Sequence, residues 1–204
     1  MRFDEREAVY ERDEYYWGID PTRLAELVLE YLPEDASGRR LVDIGAGEGR
    51  DVVYYAEHGL DACAIDVSPA GLEKARQLAE ERNVEISTCQ ANANVLTFPD
   101  PIDIVTSCGA VQYIRPEIRP RQFERFRDAT RPGGLHGIFA FEKHPDIPRA
   151  PDMTDNEYRF EAGELEGYYE DWETLHSEQV IFEDDSGGIP HKHAARILIA
   201  QAPE

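Results

Sequence analysis

Residues 41–50 read LVDIGAGEGR: a short apolar run carries the carboxylate of Asp43, and Gly45, Gly47 and Gly49 follow at alternate positions. Glycine costs about 0.5–1 kcal/mol relative to alanine inside regular structure. Three of them between a strand and a helix therefore need a purpose. Backbone without Cβ atoms can lie against a ligand, and the first turn of the next helix offers free amide N–H groups and partial positive charge. A dinucleotide fingerprint demands G-x-G-x-x-G. Here the third glycine falls one position early and Arg50 occupies the place of the last one, which counts against NAD or FAD. Asp66, closing the second apolar run in CAID, is placed to accept hydrogen bonds from both hydroxyls of a ribose, a device that supports an adenosine ligand without choosing the cofactor. The competing role for Asp66 is capping the next helix, which Ser68 fills better.

Other groups offer less. His144 follows the fifth predicted strand, and His176, His191 and His193 lie near a closing hairpin; each reads as a surface residue before a base, with His144 and Tyr113 the candidates for proton transfer. Cys63, Cys89 and Cys108 are odd in number, have apolar neighbours and form no C-x-x-C pair, so reduced and mostly buried thiols are expected and no metal site.

These residues need a scaffold. Residues 1–17 suit a helix. In IDPTRLAELVLEYLP, Asp20 is the expected N-cap, Pro21 the first helical residue and Pro33 the terminator. Strand and helix then alternate: RRLVDIG, a helix from near Glu48 to Gly59, LDACAID, a helix capped by Ser68 and ended by Asn83, VEISTCQ, PIDIVTSCG, a helix from about Arg119, and GLHGIFAFE. A loop over 144–159, a short helix in AGELEGYYEDW, and the strands ETLHSEQVIFED and HKHAARILIAQ around the turn signal DSGGIP complete the chain. The pattern predicts a Rossmann-like α/β three-layer sandwich: a mostly parallel seven-stranded sheet with an antiparallel C-terminal hairpin strand. The whole of 1–204 is expected to be one domain, with helices and a lid in 1–38 and the sheet core in 39–204.

The 204 residues include 42 acidic and 21 basic side chains, a net charge of −21. Spread along the whole chain, such charge repels itself at low ionic strength and is screened at molar salt, where the Debye length is about 3 Å. A halophilic, cytoplasmic protein is the expected source of such a surface. No basic stripe suggests nucleic acid, and no apolar run of about 18 residues suggests a membrane span.

The spacing Gly45-x-Gly47-x-Gly49 after D-I-G resembles the first motif of class I S-adenosylmethionine-dependent methyltransferases. That family often carries an acid-Ala pair after its third strand, and Asn92-Ala93 stands there without the charge; RPGG at 131–134 resembles its turn before the fifth strand. GAGEGRDVVYYAEHGLDACAID, NANVLTFPDPIDIVTS and FEAGELEGYYEDWETL resemble the TehB-like tellurite-resistance subgroup over about residues 40–176. The resemblance implies S-adenosyl-L-methionine as cofactor, held by Tyr16, Asp43, Gly45, Ala46, Gly47, Arg50, Asp66, Val67, Asn92, Ala93, Ser107 and Cys108. Tyr15, Tyr16 and Trp17 would form a lid, since aromatic faces attract a sulfonium. Ser107, Cys108, Gln112, Tyr113, Glu142, Lys143 and His144 would face the methyl group. The implied reaction is methyl transfer to a small-molecule acceptor, including a tellurium or selenium oxyanion-derived species, by a monomer or homodimer. A nicotinamide-dependent oxidoreductase and a catalytically inactive cofactor-binding protein remain the alternatives.

Overall fold

The computed structural model describes residues 3–185 and 188–204. Its elements are α1 (Phe3–Tyr10), α2 (Arg23–Tyr31), β1 (Arg40–Ile44), α3 (Arg50–Glu57), β2 (Asp61–Asp66), α4 (Pro69–Arg82), β3 (Ser87–Gln90), β4 (Ile102–Cys108), α5 (Arg119–Asp128), β5 (Thr130–Phe141), α6 (Glu164–Gly167), β6 (Glu173–Asp184) and β7 (His191–Gln201). The strands form one seven-stranded sheet in the order β3-β2-β1-β4-β5-β7-β6. β1 to β5 pair in parallel, and β7 runs antiparallel to both β5 and β6. This is the Rossmann-like α/β fold that the strand–helix alternation predicts. The order reverses at β1, so the loops after β1 and β4 diverge and leave a crevice between them, the usual ligand position in such sheets.

Alternation along the strands builds the three layers. On β1, Leu41 joins a cluster with Leu24, Val28, Val52, Tyr55 and Leu72, while Val42 and Ile44 join the opposite cluster with Phe123, Phe126, Phe160 and Tyr169. Phe123 and Phe126 on α5 are fully buried. Burial on both faces explains the near-continuous apolar runs of the parallel strands.

Three local expectations change. Thr22, not Asp20, caps α2: its side chain accepts from Ala25 N, and α2 starts at Arg23 rather than at Pro21. The cap is itself anchored, because Thr22 N and Oγ1 donate to Asp51 at 2.7 and 2.8 Å. The RPGG segment lies inside β5 instead of before it. Ile102 pairs with Thr130 and Ile104 with Leu135, so residues 131–134 loop out between two ladder positions. Cys89 is exposed, since β3 is the sheet's edge and turns its side chain outward; Cys63 and Cys108 are half-buried, and all three are free thiols. Ser68 caps α4 through Gly71 N, and Asn83 ends it in a left-handed conformation, both as the sequence suggests. No helix among the described residues is long and apolar enough to cross a membrane. The expected DSGGIP turn includes Ser186 and Gly187, which lie outside the described residues.

Candidate functional site

A cavity of ≈ 1530 Å³ opens at the carboxyl ends of the parallel strands. Its floor is the 45–49 loop. The loop's shape is set mainly by protein neighbours. A Cβ on Gly45, at φ +80°, would stand 2.0 Å from Ala110 Cβ, and one on Gly49, at φ +92°, would stand 2.6 Å from Ala75 Cβ. These two glycines are required by a left-handed backbone and by close packing against the β4 loop and α4. Gly45 N and Ala46 N both donate to Ile65 O.

Asp66 completes this floor. Its carboxylate is buried, with Oδ2 accepting from Gly47 N and Oδ1 from Ser68 N, each at 2.8 Å. It therefore ties the glycine loop to the α4 cap. Burial raises its pKa, and the two N–H donors oppose that shift. Each oxygen keeps a lone pair for further donors. Asp43 lies deeper: Oδ1 accepts from Thr106 Oγ1 at 3.0 Å. Burial first, then the nearby Asp51, pushes its carboxyl up to about 8.

The N-terminal segment covers the crevice through a chain of bonds absent from the sequence reading. Glu48 is buried and pairs with Lys74 at 2.8 Å, and its other oxygen accepts from Trp17 N at 3.1 Å. Lys74 also donates to Glu14 O. Arg50 donates to Trp17 O at 2.8 Å, and Trp17 Nε1 donates to Tyr10 Oη at 2.9 Å. Tyr16 packs edge-on against Trp17 with centroids 4.7 Å apart. Both rings remain partly exposed at the cavity mouth.

Asn92 Oδ1 accepts from Asn94 N and Nδ2, at 2.9 and 3.0 Å, and Asn94 Nδ2 also lies 3.0 Å from Tyr113 O. The loop after β3 is thereby joined to the loop after β4. Beyond it the wall is formed by Gln112, Tyr113, Tyr158, Gln179, Phe182 and His193. Tyr113 receives a hydrogen bond from Arg6, and burial pushes its phenol up to about 12. Cys108 is pushed up to about 12, again chiefly by burial, so its thiol stays protonated.

Every predicted cofactor contact except Ser107 lines this cavity. Ser107 is fully buried and donates to Ile44 O at 2.7 Å, so it braces β4 against β1. The expected contribution after β5 is also displaced. Glu142 is buried against Arg196 and Gln179, Lys143 pairs with Glu161, and His144 Nδ1 accepts from Asp146 N; none of the three lines the cavity. Phe141 does line it, and alternation turns Glu142 to the other face. The missed wall comes from residues 152–158 and from β6 and β7. The alternating HKHA register of β7 was its one sequence signal.

A family model described as a methyltransferase domain matches residues 41–134. The probable S-adenosyl-L-methionine-dependent methyltransferase TehB of Haemophilus influenzae is 26% identical over 136 residues, 67% of this chain and 46% of the relative. The tRNA 5-carboxymethoxyuridine methyltransferase of Escherichia coli K12 is 24% identical over 110 residues, 52% of this chain and 41% of the relative. The chain thus spans less than half the length of these curated relatives. The crystal structure of TehB from H. influenzae superposes with a TM-score of 0.76 at 22% identity, covering 98% of this chain and 66% of the other. The likeness extends the shared fold beyond residue 134, across the hairpin.

Proposed function

We propose, from a chain that carries a class I S-adenosylmethionine-dependent methyltransferase domain, that the described residues work as a single unit transferring a methyl group from S-adenosyl-L-methionine to a small-molecule acceptor. The observation that carries this reading is the floor around Asp66, where one buried carboxylate fastens a glycine loop to a helix cap at the switch point of the sheet. In this reading Asp66 accepts from the ribose hydroxyls through its remaining lone pairs. Val67, Asn92 and Ala93 hold the adenine, Gly45 to Gly47 face the aminoacyl part, and Arg50 attracts its carboxylate while holding Trp17. Tyr16 and Trp17 close over the sulfonium. Ser107 is not part of this set. The cavity exceeds the roughly 300–1,000 Å³ of a single small-molecule site, which supports room for donor and acceptor together.

The chemistry asks little of proton transfer. A lone pair on the acceptor attacks the methyl carbon as the carbon–sulfur bond breaks, and the bonding pair leaves on a neutral thioether. The protein's contribution is alignment and exclusion of water. A soft anionic acceptor needs no base, which suits a wall where Tyr113 and Cys108 hold their protons.

The likeness to TehB suggests reduced tellurium or selenium species as the first acceptors to test. The carboxylates of Asp152, Glu157, Glu178 and Asp184 on the wall disfavour tRNA. Calorimetry with S-adenosylhomocysteine and with NADH, followed by transfer from a radiolabelled donor in about 2–3 M KCl, tests the proposal. The panel holds selenium and tellurium species, neutral small molecules and bulk tRNA. Tight binding of NADH without S-adenosylhomocysteine overturns it. Cofactor binding with no transfer to any acceptor points instead to a catalytically inactive binding protein.

A further inference from the structure

The far wall of the cavity carries a second constellation. Asp184 ends β6 and His191 begins β7, and the two are direct partners in the antiparallel ladder. His193 lies two residues along the same face. The loop over 144–159 brings Asp152 against them. One ligand atom from each of these four residues lies within 4.8 Å of every other. His191 Nε2 is 2.9 Å from His193 Nε2, 3.0 Å from Asp152 Oδ1 and 3.9 Å from Asp184 Oδ2. His193 Nε2 is 3.8 Å from Asp152 Oδ1 and 3.4 Å from Asp184 Oδ2. These separations bracket roughly 3.4 Å, the edge of a tetrahedron whose centre is about 2.1 Å from each vertex, the ligand distance of a first-row divalent ion.

The protons sharpen the case. His191 Nδ1 lies 2.6 Å from Ile189 O, so that nitrogen carries the hydrogen. Nε2 is then the acceptor of the pair it makes with His193 Nε2, and it also faces an Asp152 oxygen that finds no hydrogen-bond donor among the described residues. Two acceptors 3.0 Å apart call for a cation between them. A backbone carbonyl fixing the outer nitrogen of a histidine is also the arrangement that orients a metal ligand. Phe141 and Phe182 pack against the His193 ring at 4.8 and 5.3 Å, holding its inner nitrogen in place.

We propose that Asp152, Asp184, His191 and His193 bind one borderline first-row divalent cation of the Zn²⁺ class at the far end of the cavity. Two imidazoles and two carboxylates suit such an ion better than Mg²⁺ or Ca²⁺, which take oxygen sets. Asp152, Asp184 and His193 also line the cavity. Resting on the methyl-transfer reading, the ion has a consequence: two positive charges offset the two carboxylates of the site and make an acidic wall hospitable to an anionic acceptor.

The test uses the untagged chain, stripped with a chelator and titrated with Zn²⁺ and with Co²⁺ while Mg²⁺ in excess occupies the acidic surface. The expected result is one ion per chain, a visible absorption spectrum of tetrahedral Co²⁺, and a raised melting temperature. His191→Gln and Asp152→Asn should each weaken binding by more than the roughly 10–100-fold that changes behind a ligand cost. Both variants should keep the S-adenosylhomocysteine affinity of the parent, which shows that they fold. Absence of stoichiometric binding to the folded parent overturns the site; so does binding undiminished in both variants. Failure of cofactor binding alone overturns the methyl-transfer reading and leaves the ion site standing.

Discussion

The two ends of the cavity are built by different means. The end at β1, β2 and β3 is made of strand-to-helix turns, and its atoms are mostly backbone: Gly47 N, Ser68 N and Ile65 O hold the floor, with Asp66 as the one side chain joining them. The end at β6 and β7 is made of side chains on a flat hairpin face, with Asp152 added from a loop far away in sequence. Backbone geometry changes little when side chains are exchanged. Side chains on a pleated face can be replaced singly without disturbing the ladder. The first end is thus suited to an invariant ligand, and the second to a ligand that differs between proteins of one fold.

The contrast can be broken by substitution. The largest effect is expected from Lys74→Met. It leaves Glu48 charged and buried, and loss of one partner of such a pair costs about 3–5 kcal/mol. A denaturant melt should show it, together with weaker binding of S-adenosylhomocysteine as Trp17 is released. An unchanged melt would mean that Glu48 takes a proton and that the pair does not hold the cover. Gly45→Ala adds a Cβ at 2.0 Å from that of Ala110 in a left-handed backbone. The backbone alone costs about 1–3 kcal/mol, and Ala110→Gly in the same chain should recover only the steric part.

Asp66→Asn places an amide against one of two N–H donors. A charged hydrogen bond contributes about 1.5–3 kcal/mol, so calorimetry should show S-adenosylhomocysteine binding roughly 10–100-fold weaker. Phe182→Ala, on the opposite wall, should leave that affinity unchanged and raise the acceptor KM by about tenfold. Equal effects of these two variants on cofactor binding would erase the distinction between the ends. The smallest effect is on pH dependence. Asp43 has a folded pKa near 8, above its ordinary value, so folding takes up a proton and stability falls as pH rises between about 4 and about 8. Asp43→Asn should flatten that part of the curve in thermal melts from about pH 5 to about pH 9.

The same contrast explains what the sequence made legible. The glycine loop, Asp66, the Ser68 cap and the alternation of strands and helices are local patterns, and their positions agree with the structure. Thr22 was missed as a cap because its anchor, Asp51, is 29 residues away. The burial of Glu48 and Lys74 leaves no local mark, since nothing in the neighbouring residues shows that α4 and the N-terminal segment enclose them. His144 was favoured over His193 because it follows a parallel strand. The structure instead turns the cavity toward the hairpin, where His193 is buried and its pKa lowered, first by burial. Pairings fixed by sheet order leave no periodic trace.

β7 lies between β5 and β6 although it follows both in the chain. During synthesis β6 therefore emerges with no neighbour to bond, while β5 waits as an open sheet margin. The end of the cavity at β1, β2 and β3 can assemble on the ribosome before the β6–β7 wall exists. A chaperone that shields unpaired β-edges would find its substrate in that interval.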